Sequence, residues 1–249
     1  MELRGAVSVV TGGNGGLGRR ICHALARSGS DVAVVYRSSH DDAAEVVAGL
    51  CSLGVRAQAY AADVTDQVQI VDLYERILRD LGRIDVLVNN AAFNQWVAFP
   101  DLEGLTPDLW QHILHANTTG PFLCSRAVAP IMKRQGGGRI INISSNASLM
   151  PSGSSIAYAV SKSALNHLTR CLALALGPEV LVNCVAPGYM EGTRVSAKLD
   201  PEYVQRGLQA SALKRPADRD DVAEQVVTFA RTDSTTGQII VIDAGRYYH

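Results

Sequence analysis

Along this chain, short β-branched runs alternate with longer stretches in which apolar residues return every three or four positions. The runs at 6–10, 32–36, 55–61 and 84–89 suit buried strands, and a fifth lies at 140–143. Between them, the stripe Leu17, Ile21, Leu25 and Ala26, the segments 41–53 and 68–81, and a long apolar stretch at 110–134 have helical spacing. From Ile156 the period is helical again, with Ala157, Val160, Ala164, Leu165, Leu168 and Leu172 on one stripe. The glycines at 136–138 read as a helix stop before the fifth strand. Such alternation predicts parallel strands joined by crossover helices, an α/β doubly wound sheet with helices on both faces.

Composition narrows the class further. With 249 residues, 47% hydrophobic and 19% charged, the chain can bury a sizeable core, and a single domain over 1–249 is expected. A net charge of −1 with the signs interspersed offers no basic field to nucleic acid or an acidic membrane, so the expected partner is a small molecule. Cys22, Cys51, Cys124, Cys171 and Cys184 stand at unrelated spacings in apolar surroundings, which reads as buried reduced thiols. No metal site is indicated. No leader-like start or spanning run of about 18 apolar residues is seen, and a cytoplasmic protein is expected.

Two stretches carry candidate chemistry. The first strand runs into Thr11-Gly12-Gly13-Asn14-Gly15-Gly16-Leu17-Gly18 and then a helix. Glycines there permit positive φ, let a pyrophosphate approach the backbone, and aim the N–H groups of a helix start at it. A glycine-rich turn alone is weak evidence, but after a first strand and opening a helix it favours dinucleotide binding. Asp63, at the end of the third strand, suits a helix cap or an adenine contact equally, and Asn89 reads as a brace closing the fourth strand.

In the second stretch, a strand ending at Ser144 and Ser145 precedes a helix that carries Tyr158 and Lys162 one turn apart, on a shared face. A phenol used as a base near neutrality needs its pKa lowered by roughly 3 units, about 4 kcal/mol. A single ammonium about 4 Å away supplies that only at an effective dielectric near ~20, so a partly dry pocket is required. Taken alone, such a pair is more often an ordinary half-exposed surface pair.

TGGNGGLG at 11–18, Asp63-Val64, NNAA at 89–92, Asn117, Ser145, the Tyr158/Lys162 pair and Pro187-Gly188 stand in an order and at a spacing that resemble the short-chain dehydrogenase/reductase family over essentially the whole chain. The resemblance implies a Rossmann-type sheet of seven parallel strands, a nicotinamide cofactor, and a homotetramer or homodimer. It implies that Tyr158 is the general acid/base, that Lys162 lowers its pKa and binds the nicotinamide ribose, that Ser145 holds the reacting oxygen, and that Asn117 holds a water in a proton relay. Cofactor contacts are expected from Gly12, Asn14, Gly16, Leu17, Gly18, Asp63, Val64, Asn90, Ala91, Tyr158, Lys162, Pro187 and Gly188. Ser145 is preferred to Ser144 because strand neighbours face opposite ways and Ser145 has the family's usual distance to the tyrosine. Thr193 stands one position later than the family's usual threonine, and NNAA replaces the commoner NNAG.

At the end of the second strand, the position where an NAD-selecting enzyme carries a carboxylate holds Tyr36, followed by Arg37, Ser38 and Ser39. Arg37 and Ser38 suit a phosphate, so NADP is expected, with NAD accepted weakly. Gly15 stands where many NADP-selecting relatives carry a second basic residue, which weakens that expectation. The resemblance places the substrate wall in the loops after the fourth strand and before Tyr158 and in a lid over about 188–213, with Gln95, Trp96, Met150 and Tyr189 as candidates. A ketone or secondary alcohol of moderate hydrophobicity is the expected substrate. Two alternatives stand beside it: a reductase of carrier-bound 3-oxoacyl groups, with Lys133, Arg134 and Arg139 as a basic docking patch, and a catalytically silent nucleotide-binding regulatory protein, against which the intact Ser145, Tyr158 and Lys162 argue.

Overall fold

The computed structural model describes residues 1–248. Its centre is a seven-stranded sheet of β1 (Val7–Thr11), β2 (Asp31–Tyr36), β3 (Ala57–Ala61), β4 (Val86–Asn89), β5 (Gly138–Ile143), β6 (Val180–Pro187) and β7 (Ile239–Ile242). The spatial order is β3-β2-β1-β4-β5-β6-β7, and every neighbouring pair is parallel. The order reverses between β1 and β4, and a crevice opens there at the carboxyl ends of the strands.

Both faces of the sheet are covered. On one, α1 (Gly16–Arg27), α2 (His40–Cys51) and α8 (Arg219–Arg231) bury Leu17, Ile21, Val46 and Val222 with Val10 and Val34. On the other, α3 (Gln67–Leu81), α5 (Gly120–Arg134) and α6 (Ile156–Leu176) bury Ile70, Leu73, Val128 and Leu172 with Val9 and Val35. Adjacent strand residues thus serve opposite cores, which is why the central strands read as unbroken apolar runs. α4 (Pro107–Leu114) and α7 (Pro201–Ala210) complete the helices, α7 lying in the segment between β6 and α8.

The stretch expected as one helix over 110–134 starts at Pro107 and is interrupted by a π-helical turn at His115–Thr119, where the Gly120 N–H bonds back five residues to the His115 carbonyl. Pro121 has no N–H to offer the carbonyl of Asn117 four residues before it, so a regular α-helix cannot close through this point. Two readings of burial are corrected. Cys51 and Cys171 are exposed, whereas Cys22, Cys124 and Cys184 are buried, and Val160 is exposed on α6.

Helix starts are locally encoded. Asp66 caps α3 by accepting from the amides of Val68 and Gln69, and Ser155 caps α6 by accepting from that of Tyr158. Asp63 is therefore no cap. It accepts instead from the Thr65 amide at 2.9 Å and the Thr65 hydroxyl at 2.6 Å.

Candidate active site

The glycine turn is shaped by close approach. Gly12 has a φ of +62°, and a Cβ at Gly18 would lie 2.2 Å from the Gly12 carbonyl oxygen, so neither position admits a side chain without moving the turn. The start of α1 has no side-chain cap, which leaves its first N–H groups for a ligand. Asn90 pins the turn, its Nδ2 donating to the carbonyls of Thr11 and Gly12 at 2.8 and 3.1 Å, while the Ala91 amide donates to Thr11 Oγ1 at 3.0 Å.

A cleft enclosing about 280 Å³ runs from this turn to the catalytic candidates. Gly12, Asn14, Gly16, Leu17, Gly18, Arg37, Ser38, Asp63, Val64, Asn90, Ala91, Ser145, Tyr158, Lys162, Pro187, Gly188 and Tyr189 all line it. Asn14 also braces the second-strand loop, donating to the carbonyls of Ser38 and Ser39 at 2.9 and 3.2 Å. Arg37 is 3.8 Å from the Asp63 carboxylate. Partial burial works to raise that carboxyl, but the Thr65 hydrogen bonds and the Arg37 guanidinium outweigh it and hold the pKa below the usual range.

At the other end, Lys162 is 2% exposed and donates through Nζ to the Ile143 carbonyl at 2.9 Å, with the ammonium 5.8 Å from the centre of the Tyr158 ring. Burial pushes Lys162 down to about 8 and Tyr158 up to about 12, with the Ser145 hydroxyl pulling the phenol partly back. The protein by itself therefore does not produce the lowered phenol expected of the pair; it keeps the phenol protonated. Ser144 gives its hydroxyl to the Lys162 carbonyl at 3.1 Å. Ser145 Oγ accepts from the Ala147 amide at 3.2 Å.

Asn117 is fully buried in the π turn. Its Nδ2 donates to the Phe93 carbonyl at 2.9 Å and to Ser161 Oγ at 3.1 Å, and its Oδ1 accepts from the Phe93 amide at 2.8 Å. Both amide protons are thus committed, and one lone pair on Oδ1 remains. Below, Asn89 donates to Asn142 at 2.9 Å and to Ser125 at 3.2 Å, and Asn142 donates to Thr169 at 2.9 Å, tying β4, β5, α5 and α6 together.

The substrate candidates separate. Tyr189 lines the cleft; Gln95, Trp96 and Met150 do not, and Gln95 and Met150 are exposed. The wall is built instead by Phe93, Val195, Leu199 and Tyr203. Tyr203 Oη accepts from the Gly153 amide at 2.7 Å, and its ring packs 5.4 Å from Trp96, so Trp96 supports the wall from behind. Val195, Leu199 and Tyr203 fall within the lid expected over about 188–213, though not among the residues singled out in it. Of the basic docking candidates, Arg139 is buried at the start of β5, bound to Thr232 and Asp233, and Lys133 pairs with Glu179 at 3.5 Å. Lys133 and its neighbour Arg134 are exposed, and with Arg139 they stand at the end of β5 opposite the cleft.

The donor set fits a nicotinamide dinucleotide: a glycine-lined helix start for the pyrophosphate, polar side chains at both ends, and a buried Ser-Tyr-Lys group beyond. The short chain dehydrogenase family matches residues 6–204. The chain belongs to the short-chain dehydrogenase/reductase family and is an oxidoreductase that uses NAD(P). It is 37% identical over 246 residues to a protein of Streptomyces violaceoruber named as ketoacyl reductase 2 of the granaticin polyketide synthase, covering 97% of this chain and 96% of that one. Two solved structures are each 29% identical with a TM-score of 0.90: the NADPH-dependent 3-quinuclidinone reductase of Rhodotorula rubra, covering 98% of this chain and 92% of that one, and an NAD⁺-bound xylitol dehydrogenase, covering 98% and 100%. Among the described residues, no helix is long and apolar enough to cross a membrane and no cluster of His, Cys, Asp and Glu could hold a metal ion.

Proposed function

We propose that this chain reduces the ketone of a moderately hydrophobic small molecule to a secondary alcohol, with NADPH preferred over NADH. The observation that carries the reading is the gathering of Ser145, Tyr158 and Lys162 in the cleft that begins at the glycine turn. A phenol that stays protonated through the neutral range is ready to give a proton to the alkoxide that develops when a carbonyl is reduced. The dinucleotide supplies the hydride when bound. Ser145 donates its hydroxyl hydrogen to the same oxygen, and the two donors form a preset oxyanion site. Lys162, with one proton on Ile143, offers its remaining protons to the nicotinamide ribose. Asn117, through its remaining lone pair, orders a water beside that lysine.

The NADP preference is supported by Arg37, which reaches the cleft from the end of β2, and by the NADPH dependence of one structural relative, the 3-quinuclidinone reductase; the other relative holds NAD⁺. A 3-oxoacyl thioester is the second reading, favoured by the likeness to the named ketoacyl reductase. A cofactor-oxidation screen over ketones, the matching alcohols and 3-oxoacyl thioesters, each with NADPH and NADH, tests the whole reading. Ketone-dependent oxidation of NADPH is expected; no turnover on any carbonyl substrate would overturn it.

Assembly as a dimer or tetramer is supported by the apolar side chains left outside on α5 and α6, where Phe122 is 39% exposed, Val160 40% and Leu174 89%. Sedimentation at micromolar concentration checks this, and a monomer refutes it. A cytoplasmic setting is supported by five cysteines that are all free thiols.

A further inference from the structure

Arg194 is far along the chain from the second strand, yet its guanidinium lies 3.4 Å from the Ser39 hydroxyl and 3.3 Å from the Asp42 carboxylate. Asp42 belongs to the first turn of α2, and Ser39 to the turn just before it, which leaves β2 beside Arg37 and Ser38. That turn is held in place: Ser39 has a left-handed φ of 64°, and Asn14 binds the two serine carbonyls. Gly15, having no side chain, leaves the way across open. Arg194 lines both the dinucleotide cleft and a groove behind the glycine turn, where Arg19 and Asp42 also stand.

We propose that Arg194 is a second reader of the adenosine 2'-phosphate, delivered from the segment between β6 and α7, so that the choice between NADP and NAD also decides how firmly that segment seats. The proposal rests on the NADP preference argued above. A guanidinium presents a planar fork of donors, and a phosphate dianion with three acceptor oxygens competes well with a half-exposed carboxylate for it. Asp42 opposes the phosphate, but it has another partner in Arg19 at 3.7 Å, which also faces Glu45 at 3.4 Å; Asp63 likewise faces Arg37. The link to seating is local. Two residues before Arg194, the Gly192 carbonyl accepts from Arg219 at 3.2 Å and lies so close to the glycine turn that a Cβ at Gly16 would be 2.1 Å from it. A phosphate that holds Arg194 therefore holds the segment down on the start of α1.

The test compares catalytic efficiency with NADPH and NADH for the wild type, Arg194→Ala, Asp42→Asn and Arg37→Ala, with thermal unfolding of each to confirm folding. Arg194→Ala is expected to lower the NADPH/NADH ratio about tenfold, the lower end for one charge-assisted contact. Asp42→Asn is expected to raise it about two- to threefold, by releasing the guanidinium. A purely structural pair predicts the same sign for both variants and an equal effect on both cofactors. Hydrogen exchange over 191–199 supplies the second readout: NADPH should protect this segment more than NADH in the wild type and lose that advantage in Arg194→Ala. An NADPH-preferring wild type whose ratio is unmoved by Arg194→Ala, or equal protection by the two cofactors, overturns the Arg194 proposal alone. A wild-type preference for NADH overturns the NADP reading beneath it.

Discussion

The floor and the roof of the cleft are held by different physics. In the floor, Asn89, Asn142, Thr169, Ser144 and Lys162 are all buried and hydrogen-bonded to one another or to backbone. In the roof, the contacts are half-buried or exposed: Arg194 with Asp42, Lys198 Nζ with the Asn94 carbonyl at 3.1 Å, Tyr203 with the Gly153 amide. Buried polar networks are rigid when satisfied and costly when broken, whereas exposed pairs are worth little each and exchange partners freely. On the function proposed above, the floor fixes where a proton is given and the roof can change with the ligand.

The largest break should come from the floor. Tyr158→Phe is expected to cut turnover roughly 100- to 10,000-fold while cofactor affinity, read by fluorescence titration, stays near native; near-native turnover would remove Tyr158 from its assigned part. The buried interior as a whole should also be alkali-sensitive. Burial raises the pKa of Cys22, Cys124, Cys184 and Tyr158, the last three to about 12. Above pH ~9 the unfolded chain loses these protons while the folded chain keeps them, so stability should fall as pH rises towards 12. Lys162, lowered to about 8, works the other way between that value and its ordinary 10.5, one group against four. Denaturant midpoints measured from pH 8 to 11 check the sign.

Arg37→Ala should narrow the NADPH/NADH ratio by roughly ten- to a hundredfold, the scale of one charge-assisted bond; an unchanged ratio would show that Arg37 is only a solvated partner of Asp63. Asn89→Leu leaves Asn142 without its donor and should cost about 1–3 kcal/mol of stability by urea unfolding. The smallest effect belongs to the roof. Tyr203→Phe keeps the ring against Trp96 and loses the bond to Gly153, about 1 kcal/mol or some fivefold, expected in KM rather than in turnover. A fall in turnover instead would move Tyr203 from the wall into the reaction.

What could be read from sequence follows the same division. Strands buried on both faces are continuous apolar runs, and the glycine turn is legible because a Cβ is excluded at Gly18. Ser145, Tyr158 and Lys162 were legible as a group because a strand end and one helical turn define their separation, and the structure gathers them at one end of the cleft. The π turn left no trace in the apolar spacing, since one extra residue in a helix barely alters a stripe of three or four. Cys51 and Cys171 are exposed despite their apolar surroundings in sequence, because apolar neighbours in the chain need not share a helix face. The roof has no period to read, so the lid over about 188–213 is legible as a region while Leu199 and Tyr203 within it are not, and Arg194 meets its partners across more than 150 positions.

The π turn at His115–Thr119 holds one residue more than a regular helix needs. Each residue advances an α-helix by about 100°, so deleting a single residue there would rotate one half against the other and swing Asn117 away from Phe93 and Ser161. The sheet, the glycine turn and the Ser-Tyr-Lys group would all survive. The π turn thus sets a fixed rotational offset between α4 and α5, and a change of length there would be felt at one buried amide before anywhere else.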